Sequence, residues 1–378
     1  MPTSKICIVT STRADWGLLT PLARALSERS DVQLQVVATN MHLEESCGCT
    51  VTEIAAAGLH VDIQVPMHEH GDDPASRARA MAKCMAGMAD AFKALQPDCV
   101  VILGDRYEML AVASAAAVMN IPIAHIAGGT VSLGAIDNAM RNAITQLATL
   151  HLVETDGHRN RVIAMGADPA HVVTCGALGV WNIMHQPLMD ADELAESLDG
   201  WRPDATDTVL VTYHPQTLDN ADPAERFDEL TRALDAHPHL RVLITYPNND
   251  AGGQRIADRI ERWAAANPGR VKAVKSLGMV RYLSALRHVA AVVGNSSSGI
   301  VEVPSMHIPT VDIGDRQKGR QCADSVIHCA ADTTAISTAL DYALSPEGQA
   351  RARAAVNPYH NPDTVTLMST AIVLSLNS

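Results

Sequence analysis

Short apolar runs alternate with longer stretches of helical period along the whole chain. Residues 5–10, 32–39, 99–103, 122–126, 151–154 and 172–175 have the length and β-branched content of buried strands. After a change of texture the runs resume at 208–213, 241–246, 271–275, 290–294 and 310–313. Between them lie Ala-, Leu- and Met-rich segments such as 73–95 and 108–119, too long and too evenly periodic for strands. This alternation predicts parallel sheets wrapped by helices, an α/β class. The stretch 181–207 has few β-formers and contains Pro187, Gly200 and Pro203, which marks it as the connection between two halves. The expectation is two Rossmann-like doubly wound domains, 1–180 and 181–378, facing each other across a cleft. The last helix is a candidate to pack back on the first domain.

A length of 378 residues suits two cores better than one. The chain is 47% hydrophobic, yet no apolar run approaches the roughly 18 residues of a membrane span. The opening ten residues have no extended apolar region or small-residue cleavage site and read as a first strand, not a secretory signal. A net charge of −13 leaves no basic excess to neutralise phosphates, which argues against nucleic acid as a partner. The eight cysteines are scattered, several inside apolar runs such as Cys7 and Cys99, so a reducing cytoplasm is expected. Cys47 and Cys49 form a pair, but no second pair or histidine stands at zinc-finger spacing, so neither a metal nor a cofactor is expected.

The unusual polar residues cluster just after the predicted strands. They fall at 11–15, 41–42, 104–108, 127–142, 214–215, 247–250, 294–299 and 314–320. In doubly wound folds, ligands sit at these C-terminal strand ends, where loop amides and helix N-termini point toward them.

Each cluster has a plain reading beside a chemical one. Ser296, Ser297 and Ser298 between two glycines admit close approach of backbone amides to an anion, and Glu302 follows within reach of ribose hydroxyls; an ordinary serine-capped helix is the alternative. Arg316, two residues past Gly314, favours phosphate. Asp105 is either a helix N-cap or a general acid–base group. His214, followed by Pro215, is held out of a strand and is a second acid–base candidate. Asp137 and Arg141 stand at i, i+4 in the first turn of a helix. They form either a surface ion pair or a carboxylate kept ionised for chemistry. Glu108 and Asn248 stand at strand ends among the candidate binding residues. The histidines at 68, 70, 237 and 239 lie in polar loops and read as solvated.

Taken together, these stretches resemble the hydrolysing UDP-N-acetylglucosamine 2-epimerases. The likeness is carried by TSTRADWGLL, MHLEE, GDRYE, AIDNAMRNAITQLATLHLVET, YHPQT, PNNDAGG, GNSSSGIVEVPS and IGDRQKGR, across nearly the whole chain. It implies a GT-B type fold, with Ser296, Ser297, Glu302 and Arg316 against the UDP moiety and Arg13 nearby. It also implies Asp105, Asp137 and His214 as acids and bases, with His42 in the sugar pocket. The reaction implied is elimination of UDP to a 2-acetamidoglucal, then hydration that inverts C2. A homodimer or homotetramer is implied as well. Family members usually carry Glu or His at the position of Ala127, Glu at Thr130 and His at Asn142. Three ionisable positions are neutral here, while the nucleotide motifs are almost unaltered. The alternatives to epimerisation are hydrolysis of a different nucleotide sugar, glycosyl transfer, and nucleotide-sugar binding without turnover.

Overall fold

The computed structural model describes residues 3–45, 48–69, 73–132, 136–216, 222–247 and 252–376. They divide into two compact units. The N-terminal unit comprises Met1–Thr130, Asp137–Asn182 and Asn361–Ser378, and the C-terminal unit Val131–Ile136 and Ile183–His360.

The N-terminal unit is built on a seven-stranded parallel sheet: β1 (Ser4–Thr10), β2 (Val32–Thr39), β3 (Ile63–Val65), β4 (Cys99–Leu103), β5 (Ile123–Ile126), β6 (Leu150–Val153) and β7 (Val172–Thr174). Its order is β3-β2-β1-β4-β5-β6-β7, so the chain runs outward from β1 and then crosses back to β4. Strands β5 and β6 are buried along their whole length. That is why they read as continuous apolar runs, since parallel strands are covered on both faces. The longest helix, Pro74–Leu95, starts where Asp73 accepts from the amides of Ala75 and Ser76, with Pro74 in its first turn. The last helix, Thr364–Ser375, belongs to this unit. It places Val365, Met368, Ile372 and Val373 in one core with Leu19, Leu22 and Leu26 of the helix Arg13–Ser27.

The C-terminal unit repeats the plan with six parallel strands: β8 (Thr208–Thr212), β9 (Arg241–Thr245), β10 (Val271–Val274), β11 (Ala291–Gly294), β12 (Thr310–Ile313) and β13 (Val326–Cys329). The order is β10-β9-β8-β11-β12-β13. Its core joins Val209, Val211 and Tyr213 to Phe227, Leu230 and Leu234 of the helix Pro223–Asp235. His237, expected in solvent, is buried: its ring pairs with the Ala233 carbonyl at 2.8 Å and with Asp341 at 3.0 Å, closing the exposed end of that helix.

In both sheets the order reverses once, between β1 and β4 and between β8 and β11. Those two points are where a doubly wound sheet opens a crevice for ligand.

Candidate active site

In the C-terminal unit, three motifs far apart in sequence are knitted together beside β8 and β11. Gly294 has φ +144°, and a Cβ there would lie 2.0 Å from the Thr212 carbonyl oxygen, so only glycine allows β11 to end against β8. The next residue, Asn295, is fully buried and clamps His214 from both sides. Its Oδ1 accepts from the His214 amide at 2.7 Å, and its Nδ2 donates to the His214 carbonyl at 2.9 Å. The Asn295 carbonyl in turn accepts from Gln317 Nε2 at 2.8 Å and from Arg316 Nη1 at 3.2 Å. Gln216 packs against Gly314, where a Cβ would meet its Nε2 at 2.4 Å.

Burial, reinforced by the Arg316 charge, pushes His214 down to about 3. It is therefore a neutral imidazole at physiological pH, with one ring nitrogen a hydrogen-bond donor and the other an acceptor. The serines form a tight turn. Ser298 donates its hydroxyl to Glu302. The expected helix is only one turn, Ser298–Val301, followed by the 3₁₀ turn Val303–Met306, because Pro304 cannot continue the α-helical ladder.

In the N-terminal unit, the loop after β1 is consumed by a capping box. Asp15 accepts from Ser11 N, Thr12 N and Thr10 Oγ1, leaving Arg13 to turn outward, where it pairs with Glu53 at 2.9 Å. After β4, Asp105 keeps partial exposure and forms an ion pair with the nearly buried guanidinium of Arg141. Arg141 also donates to the Thr130 carbonyl at 2.9 Å. The i, i+4 reading paired Arg141 with Asp137, whereas the fold also carries it to Asp105, 36 residues away.

The turn at Ala127–Thr130 rests on a buried histidine that the sequence reading passed over. His125 Nε2 pairs with the Gly104 carbonyl at 2.8 Å, and burial pushes the ring down to about 4, so it is neutral. Ala127 is left-handed, with φ +64°, an uncommon conformation for a residue with a Cβ. Asp137 opens the helix Asp137–Leu147, as its spacing predicts. Asn142, one turn on, has a buried carboxamide oxygen with no hydrogen-bond partner among the described residues.

Two expected contact residues are completely buried. Glu108 accepts from Arg106 Nε at 2.5 Å and from Asn40 Nδ2 at 2.8 Å. Burial opposes its ionisation, but the Arg106 charge and these donors outweigh it and hold the carboxyl below its usual range. Glu108 thereby orients Arg106 through one carboxylate oxygen, while the other, Oε2, is buried with no hydrogen-bond partner among the described residues. His42 has Thr10 Oγ1 at 3.0 Å from Nε2 and Thr50 Oγ1 at 2.9 Å from Nδ1. Burial lowers its pKa, with the Asp15 charge opposing. It stands beneath the β1 loop as a support. Asn248 lies outside the described residues.

Comparison with known proteins gives a consistent picture. Residues 24–373 match the family model described as UDP-N-acetylglucosamine 2-epimerase. A GDP/UDP-N,N'-diacetylbacillosamine 2-epimerase (hydrolyzing) of Campylobacter jejuni is 36% identical over 86% of this chain and 84% of its own length. A UDP-N,N'-diacetylbacillosamine 2-epimerase (hydrolyzing) of Legionella pneumophila is 33% identical, over 90% of this chain and 89% of that protein. Among solved structures, a UDP-GlcNAc 2-epimerase from Neisseria meningitidis bound to UDP-GlcNAc superposes with a TM-score of 0.81. It is 14% identical and covers 99% of each chain, so that likeness establishes the fold.

Proposed function

This chain belongs to the UDP-N-acetylglucosamine 2-epimerase family, and on that premise we propose that it is a hydrolysing nucleotide-sugar 2-epimerase. Its substrate is UDP-N-acetylglucosamine or a related UDP-2-acetamido sugar, and its products are UDP and the free 2-epimeric sugar. The 2,4-diacetamido-6-deoxy sugar for which the two relatives are named is the first to test. The observation that carries this reading is the Asn295 clamp, which ties a neutral His214 to Arg316.

The nucleotide falls to Ser296, Ser297, Ser298, Glu302 and Arg316, where a guanidinium offsets charge developing on the departing phosphate. The acid–base work falls to Asp105 and Asp137, with His214 as a neutral partner. Elimination moves the C2 proton to a base, turns the C2–H electron pair into the C1–C2 double bond, and breaks C1–O with its pair leaving on UDP. Hydration returns a proton to C2 on the other face and hydroxide to C1. No step needs a metal or an organic cofactor. Buried thiols such as Cys7 and Cys99 suit a reducing cytoplasm, where we place the enzyme as a homodimer or homotetramer; among the described residues no helix is long and apolar enough to cross a membrane.

The test is incubation with a panel of nucleotide sugars, with products identified by NMR and mass spectrometry. Free UDP with an inverted sugar is expected. Retained C2 configuration would instead mean plain hydrolysis, and transfer only on adding an acceptor would mean a glycosyltransferase.

A further inference from the structure

Inversion at C2 needs one group to take a proton and another, on the opposite face, to return one. The N-terminal unit holds a carboxylate that the scheme above leaves unused. Glu154 stands immediately past β6, beside the turn that follows β5. Thr130 Oγ1 donates to Glu154 Oε2 at 3.0 Å. His158 Nδ1 lies 3.6 Å from that same oxygen and 3.4 Å from the Thr130 hydroxyl. The Glu154 side chain is 13% exposed, so it is largely desolvated yet still reachable. The Thr130 carbonyl is the one that Arg141 grips while it pairs with Asp105. Glu154 is thus joined through a single residue, Thr130, to the Asp105–Arg141 ion pair.

The arrangement is built rigidly. Gly129 has φ +77°, and a Cβ there would lie 2.6 Å from the His158 carbonyl oxygen and 2.8 Å from Val162 Cγ2. The turn is therefore pressed onto the helix Asp156–Ala164, whose N-cap Thr155 accepts from the His158 amide. A carboxylate is costly to bury and is kept where it has partners or work. Position 130 is the one where the resemblance leads one to expect Glu and the chain has Thr. The contact returns a carboxylate to that place from the neighbouring strand.

We propose that Glu154 is the catalytic base that removes the C2 proton, positioned by Thr130 and His158; this rests on the epimerase reading. The Glu154 carboxylate gains the proton, the C2–H pair becomes the C1–C2 double bond, and the C1–O pair leaves with UDP. Asp137 is then left for the opposite transfer during hydration.

The experiment begins with the parent enzyme on UDP-N-acetylglucosamine and UDP-N,N'-diacetylbacillosamine. If neither releases UDP, the epimerase reading fails, and this proposal with it. If either does, Glu154→Gln is expected to lower kcat roughly 10²–10⁴-fold while changing UDP affinity less than twofold. The acidic limb of its kcat/KM profile should vanish, and a C2-deuterated substrate should show a larger isotope effect than with the parent. The double variant Thr130→Glu/Glu154→Gln, which moves the carboxylate across the hydrogen bond, should recover at least tenfold over Glu154→Gln. Circular dichroism checks the fold of both. A Glu154→Gln enzyme within threefold of the parent with the same pH profile overturns the assignment. So does a folded but slow Glu154→Gln enzyme with an unaltered pH profile and no recovery in the double variant, because that pattern marks a structural role.

Discussion

Replacing Asn295 with Ala tests whether the His214 station is held by the clamp or merely lies beside it. The side chain satisfies both the amide and the carbonyl of His214, at 2.7 and 2.9 Å, across 81 residues of sequence. Truncation orphans two backbone groups, each worth about 1–3 kcal/mol when water cannot replace the lost partner. His214 is only half-buried, so the sum belongs in the lower range, about 2–4 kcal/mol of local stability. Since 1.36 kcal/mol is a factor of ten, the His214 amide should exchange with solvent about 30- to 900-fold faster. Hydrogen exchange is the right assay, because a two-unit chain does not guarantee a single global unfolding step. Calorimetric titration should show UDP affinity falling about tenfold or more, since Arg316 and Gln317 are anchored on the same residue. Exchange within threefold of the parent together with unchanged UDP affinity would refute the reasoning. The clamp would then be incidental, and His214 would be held by its own strand.

Four further outcomes follow from the structure. Asp137→Asn should slow sugar release roughly 10²–10⁴-fold with UDP affinity nearly intact; parental turnover would mean that Asp137 only favours the helix start. Arg316→Ala should weaken UDP binding by about 1.5–3 kcal/mol, and EDTA should not alter the affinity of the parent; an unchanged variant would place the pyrophosphate elsewhere. Gly129→Ala meets the His158 carbonyl oxygen at 2.6 Å in a left-handed conformation and should cost about 2–5 kcal/mol; a melting temperature equal to the parent's would contradict the packing of that turn. His328 bonds the buried Asp312 carboxylate at 2.8 Å, which raises its pKa to about 10, with Cys322 contributing. A raised pKa gives stability that is full below the unfolded value near 6.5 and is lost as pH rises through about 10. With the ring half exposed and screened, the loss should be about 1 kcal/mol, absent in His328→Gln; a flat stability curve from pH 6.5 to 10 argues against the pair.

What the sequence determined by itself is everything that depends on near neighbours along the chain. Eleven of the strands were legible as apolar runs because parallel strands are covered on both faces. The two that escaped notice, Ile63–Val65 and Val326–Cys329, are short edge strands. The helix over 73–95 and the one opening at Asp137 were likewise visible in their period. The polar clusters were legible too, because each follows a strand. Tertiary structure decided which clusters meet. Only the strand order puts the ends of β8 and β11 side by side, so that Asn295 can hold His214, and only the fold shows that Glu108 and His42 are buried. Arg141 reaches Asp105, and Thr130 reaches Glu154, across separations of 36 and 24 residues. A period of two or 3.6 residues has no bearing on such contacts; the register between strands creates them.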